Sequence, residues 1–134
     1  MRYLLDTHII IWFLAGNDEL DSNIYDIIAF HSNIYISIVS LQEIAIKARD
    51  GGLQLKISFK EFCETIKEKT TIKFLPVTEK HLIVLNSLTT APGHNDPFDH
   101  LIISQAVAEK MQLLSADNKF AFYREQKLDL LENG

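Results

Sequence analysis

Short aliphatic runs alternate with helical segments along the whole chain, and that alternation most narrows the fold. Residues 2–6 (RYLLD), 33–39 (NIYISIV), 72–77 (IKFLPV), 112–115 (QLLS) and 127–131 (KLDLL) read as strands. Pro76 suits an edge position for the third of them. Residues 7–15, 22–31, 58–69, 78–88 and 97–110 read as helices. Ser40 opens another helix, ended by Gly51 and Gly52, and residues 118–123 form a short one. Ser58 and Glu61 make a capping box, and Pro97 suits the first turn of the long helix. Strands followed by helices predict one α/β domain over residues 1–134, with a mostly parallel central sheet flanked by helices. A length of 134 residues suits one such domain, and 47% hydrophobic residues can fill its core.

Several classes are excluded. The longest apolar run, residues 9–15, is seven residues, against the ~20 that span a bilayer. It follows Asp6 and His8, which does not suit a signal-peptide core. The single cysteine, Cys63, makes no internal disulfide or thiolate metal cluster. The expectation is a cytoplasmic protein without a membrane partner. A net charge of −5 argues against holding phosphates by charge alone. Residues 47–80 carry eight basic residues against five acidic ones, a local +3 that leaves −8 on the rest. Binding a polyanion therefore calls for another source of positive charge, such as bound cations.

The informative residues are acids at the element junctions. Asp6 ends the first strand and Asp117 follows the strand QLLS. Glu43 lies one turn into the helix after the second strand, and Asp96 and Asp99 flank the start of the long helix. In a parallel sheet the carboxyl ends of the strands share one edge, where ligands bind. Each acid taken alone has an ordinary reading. Asp6, Asp96 and Asp117 suit helix N-caps, Ser40 to Glu43 suits a capping box, and Glu43 suits an i,i+4 pair with Lys47. Capping does not explain why carboxylates recur at junctions sharing one edge. Clustered carboxylates raise one another's pKa unless a cation sits between them. All-oxygen donors suit Mg²⁺ or Mn²⁺, which would activate a water for phosphodiester hydrolysis. Setting four such acids aside changes the net charge from −5 to −1.

The motifs resemble those of PIN-domain proteins, most closely the VapC-type toxins of prokaryotic toxin–antitoxin pairs. They are Leu5-Asp6-Thr7-His8, Ser40-Leu41-Gln42-Glu43-Ile44, the segment from His94 through Asp96-Pro97-Phe98-Asp99 to Ala106, and Leu114-Ser115-Ala116-Asp117 followed by Phe120. The resemblance covers nearly the whole chain in the family's order. It implies a Mg²⁺- or Mn²⁺-dependent endoribonuclease acting on RNA, a cognate antitoxin partner and a homodimer. Carried over by position, it makes Asp6, Glu43, Asp99 and Asp117 the catalytic, metal-binding acids. Asp96, Thr7 and Ser115 become supporting residues. His100 stands where relatives commonly carry arginine, which weakens any role for it as a fixed phosphate clamp and suggests pH-sensitive activity.

Other residues read as structural. Cys63 faces inward on its helix, and Trp12, Phe13, Phe59 and Phe62 suit core or dimer surface. His31 and His81 read as surface residues, while His8 and His94 stay open between substrate contact and packing or loop hydrogen bonding. Of the basic residues, Lys47 and Arg49 are the best placed for RNA, since they share a helix with Glu43. Phosphotransfer folds of the haloacid dehalogenase or receiver type fit poorly: position 8 is His, and paired acids with a later phosphoacceptor are missing. A catalytically silent PIN-like module that binds RNA or protein is the competing reading. Retention of all four mutually repelling acids argues against it.

Overall fold

Successive leucines in the central strand are buried on opposite sides of a sheet, and two cores follow from that. The computed structural model describes residues 1–134. Its strands are β1 (Tyr3–Leu5), β2 (Ile34–Ser37), β3 (Lys73–Leu75), β4 (Gln112–Ser115) and β5 (Asp129–Glu132). They form one sheet in the order β3-β2-β1-β4-β5, and every neighbouring pair is parallel. The sheet is thus wholly parallel, and β3, which Pro76 follows, lies at an edge as expected. The helices are α1 (Thr7–Ala15), α2 (Ser22–Phe30), α3 (Ile38–Arg49), α4 (Phe59–Lys69), α5 (Glu79–Ser87) and α6 (Pro97–Glu109). A 3₁₀ helix spans Asn118–Gln126.

Leu5 and Leu114 join Ile9, Ile24, Ile36, Ile44, Phe62 and Ile66 in one core. Leu4 and Leu113 join Val39, Ile102, Ile103, Ala106, Phe120 and Tyr123 in the other. A parallel strand covered on both faces has no polar side to spare, which explains the unbroken aliphatic runs. Each fully buried Leu or Ile contributes roughly 1.5–3 kcal/mol. Trp12, Phe13 and Phe59 pack on the first core, with Phe62 inside it, as read from the sequence. Cys63 is half-buried, and burial pushes its thiol pKa up.

Two expectations are corrected. The third helix opens three residues before Ser40. Ile38 and Val39, β-branched and strand-like in sequence, lie in its first turn because the Ser37 hydroxyl accepts from the Val39 N–H at 3.0 Å. The same hydroxyl donates to Gln105 of α6 at 2.5 Å, so a contact distant in sequence fixes the boundary. Ser40 is instead buried within α3, its Oγ 3.0 Å from Thr7 Oγ1. His81, expected at the surface, is fully buried. Its Nδ1 accepts from the Thr78 N–H at 3.0 Å and its Nε2 lies 2.7 Å from Glu109 Oε2, so it caps α5 and ties it to α6. No helix is long and apolar enough to cross a membrane.

Strand order reverses between β1 and β4. The connections leave the carboxyl ends of these two strands in opposite directions, opening a crevice at that edge. Asp6 and Ser115 stand at its floor.

Candidate functional site

Asp6 leaves β1 in extended backbone and begins α1, so it serves as an N-cap. Its Oδ1 accepts from the Thr7 N–H at 2.8 Å. Its Oδ2 accepts from the Ser115 hydroxyl, at the end of the neighbouring β4, at 2.8 Å. Only 4% of Asp6 is exposed. Burial raises its pKa to about 6 despite the Ser115 hydrogen bond, and the Asp99 charge adds to the rise.

Glu43 is 3% exposed, on the face of α3 turned to α1. The Thr7 hydroxyl donates to its Oε1 at 2.7 Å, and Lys47 one turn on reaches its Oε2 at 2.6 Å. The expected i,i+4 pair therefore forms, with half of the lysine side chain in solvent.

Asp96 caps α6, its Oδ1 accepting from the N–H groups of Phe98 at 2.9 Å and Asp99 at 3.4 Å. Asp99, in the first turn, is only 2.9 Å from His94 Nε2 through its Oδ2. Burial raises its pKa to about 7, and the charges of Asp96, Asp117 and Glu43 add to this against partial relief from Lys47. Asp117 follows β4 and caps the 3₁₀ helix, accepting from the Lys119 N–H at 2.9 Å, while its own N–H donates to Ser115 Oγ at 3.0 Å. Caps and site acids are therefore the same residues. Capping engages Oδ1 of Asp96 and of Asp117, and each carboxylate has a second oxygen to offer.

The acids converge on Asp99. It lies within electrostatic reach of Asp96, Asp117 and Glu43, and Asp6 within reach of Asp99. Donor atoms of Asp99, Asp117 and His94 lie within 4.8 Å of one another, near the ~4 Å that separates opposite ligands of one Mg²⁺. Asp6 and Glu43 fall outside that tight group, on the side of the crevice that Thr7 and Ser115 buttress. Thr7 and Ser115 both touch acids and hold them. Hard oxygen donors, two carboxyl pKa values raised to about 6 and about 7, and one flexible lysine as counter-charge suit a divalent cation such as Mg²⁺ or Mn²⁺.

Sequence reasoning left His94 open and did not single out Tyr123. Both belong to the site's surroundings: His94 Nδ1 lies 2.8 Å from the Tyr123 hydroxyl. The available signal was the position of His94, two residues before the capping Asp96. His100 donates through Nε2 to the His94 carbonyl at 2.7 Å, so it closes the 94–100 loop rather than pointing a charge into the crevice. His8 is exposed beside Trp12, and His31 is exposed as expected.

The family model of the PIN domain matches residues 3–125. No curated protein matches the sequence. Among solved structures, the fold is similar to the VapBC2 complex of Rickettsia felis bound to a promoter DNA fragment. That match has TM-score 0.70 and 19% identity and covers 98% of each chain. DNA-bound VapBC from Salmonella typhimurium matches with TM-score 0.70 and 14% identity, over 100% of this chain and 99% of that one. VapBC-1 from nontypeable Haemophilus influenzae matches with TM-score 0.67 and 20% identity, over 98% of each chain. At these identities the likeness is one of fold.

Proposed function

The chain belongs to the PIN-domain family, and from that premise we propose that it is a Mg²⁺- or Mn²⁺-dependent endoribonuclease, the toxin of a type II toxin–antitoxin pair. The observation that carries this reading is the convergence of Glu43, Asp96 and Asp117 on Asp99, with Lys47 giving it partial relief. Repulsion of that kind destabilises a folded chain unless a ligand cation offsets it.

Asp6, Glu43, Asp99 and Asp117 would hold the cation, with Asp96 supporting them. A divalent ion there supplies a hydrolytic nucleophile at neutral pH and positive charge for a phosphate oxygen. The chain's own groups prepare the site. Ser115 and Thr7 fix the rotamers of Asp6 and Glu43 through hydrogen bonds of 2.8 and 2.7 Å. A cation held there would compete with the protons that Asp6 and Asp99 bind below about 6 and about 7, so its affinity would increase with pH across that range. Lys47, paired with Glu43 and half in solvent, would be the side chain to meet an RNA phosphate. We assign the whole of residues 1–134 to this one nuclease domain, working in the cytoplasm.

The solved relatives are VapBC complexes, which supports a cognate antitoxin as partner. Exposed Leu82 and Ile83 on α5 suit a homodimer surface.

The test is cleavage of structured and single-stranded RNAs in Mg²⁺, Mn²⁺ or EDTA, with wild type beside Asp99→Asn. Metal-dependent cleavage lost in Asp99→Asn supports the nuclease. Equal cleavage by both proteins overturns it. Silence from both, with Mn²⁺ binding intact by calorimetry, favours the catalytically silent module.

A further inference from the structure

His94 is 2% exposed and held at every polar position it has. Its N–H donates to the Ala91 carbonyl at 3.0 Å, and its own carbonyl accepts from His100 Nε2 at 2.7 Å. Its ring packs among His100, Phe120 and Tyr123, with centroids 4.9, 5.8 and 5.6 Å away. The two ring nitrogens face different partners: Nδ1 the Tyr123 hydroxyl at 2.8 Å, and Nε2 Asp99 Oδ2 at 2.9 Å.

The proton positions follow from counting donors. The Tyr123 oxygen already accepts from the Ala91 N–H at 2.9 Å. If it also accepted from Nδ1–H, its own hydroxyl proton would be buried without an acceptor, the costlier arrangement. With Tyr123 donating to Nδ1, every donor has a partner, and the proton of the neutral ring sits on Nε2 facing Asp99. Asp99 Oδ2 then accepts from His94, and Oδ1 is the oxygen left for a cation.

The geometry points to His94 as a positioning residue for the proposed cation site. It fixes the rotamer of Asp99 through Nε2–H and is itself fixed by Tyr123, rather than ligating the cation. This rests on the cation-site reading above, and extends it to two residues outside the acidic set. Ligation would require Nε2 to lose both its proton and Asp99. Outer hydrogen-bond partners of ligating groups are typically worth 10–100-fold in metal affinity.

The experiment is Mn²⁺ calorimetry on the full chain at pH 7.5, comparing wild type with His94→Gln, His94→Phe, Tyr123→Phe and Asp99→Asn. Glutamine keeps an N–H donor near the Nε2 position, and phenylalanine keeps the ring volume without one. We expect His94→Phe to bind roughly 10–100-fold more weakly, His94→Gln to recover most of that loss, and Tyr123→Phe to fall between. Unchanged affinity in His94→Phe, or His94→Gln as weak as His94→Phe, overturns the positioning role. Wild-type affinity in Asp99→Asn removes the cation site itself, which separates that failure from this one. A second measurement needs no variant: ¹⁵N spectra of the wild-type histidines with and without Mg²⁺. A His94 ring protonated at Nε2 in both states supports the assignment. A proton at Nδ1, or loss of the Nε2 proton on adding Mg²⁺, overturns it.

Discussion

Helix α6 carries a partly buried acid near its start and another at its end, and the fold treats them in opposite ways. Asp99, in the first turn, has its pKa raised to about 7. Glu109, the last residue of the helix, is held below its usual range by its hydrogen bond to His81, with Lys80 and Arg2 nearby. The helix dipole alone would do the reverse, since it favours a carboxylate at the start and disfavours one at the end. The surroundings decide both cases: burial, with the acids adding to it, outweighs the dipole at Asp99, and the His81 hydrogen bond outweighs it at Glu109. Glu109 is bonded to His81 with Lys80 and Arg2 beside it, while Asp99, bonded to His94, faces three acids and one lysine. An acid surrounded by cations is a strut. An acid among acids carries a repulsion that a bound cation would relieve, which is what makes it a candidate ligand site.

Exchanging each acid for its amide breaks this comparison most sharply. Asp99→Asn should lower RNA cleavage by roughly 10³-fold, the scale of losing the stabilisation of developing charge that the cation held by Asp99 would supply. Glu109→Gln should leave cleavage within about twofold. Equal losses in a side-by-side RNA assay would erase the distinction between the two ends.

The pH dependence of stability should differ in sign. Asp6 and Asp99 bind protons more tightly in the folded state, at about 6 and about 7, than at their ordinary 3.8. Without metal, the folded chain therefore loses stability as pH rises from about 4 towards 7, by up to about 1.4 kcal/mol per unit for each group. Glu109 acts oppositely, contributing stability above its ordinary 4.5 that is lost as pH falls through its lowered value. Urea denaturation in EDTA between pH 4.5 and 8 should show the decline, and Asp99→Asn should flatten it. A wild-type profile that climbs across this range would contradict the raised values.

At pH 7.5 without metal, Glu109→Gln should cost about 1 kcal/mol, because the amide oxygen still accepts from His81 but the charge that strengthens this bond and faces Lys80 and Arg2 is gone. Asp99→Asn should stabilise by a similar amount, since the amide oxygen still accepts from His94 while the repulsion is gone. Thermal melts of the two variants should therefore move in opposite directions. The smallest effect belongs to Lys47→Gln. Half of that side chain is in solvent, so its removal should cost under ~1 kcal/mol, and less still at pH 5, where Asp6 and Asp99 carry protons.

Much of this was legible in the residues. Aliphatic runs buried on both faces cannot be mistaken for exposed strands, so the α/β alternation and the edge strand beside Pro76 came out of pattern alone. The junction acids stood out because three of them cap helices, and capping is written locally. The opening of α3 was not legible. Ile38 and Val39 have strand propensity, and only Ser37 bonding to Gln105, 68 residues away, turns the chain there. His81 likewise looked like one more polar residue on a short helix. Its burial depends on Glu109, 28 residues further on.

The sequence by itself determined which elements form and which acids stand at their ends, because strand pattern, caps and helical spacing are short-range properties of the chain. The tertiary structure alone decided that β1 and β4 are neighbours, that Ser115 reaches Asp6 across 109 residues, and that His94 stands between Tyr123 and Asp99. Those contacts depend on the order of strands in a sheet, and no local preference encodes that order.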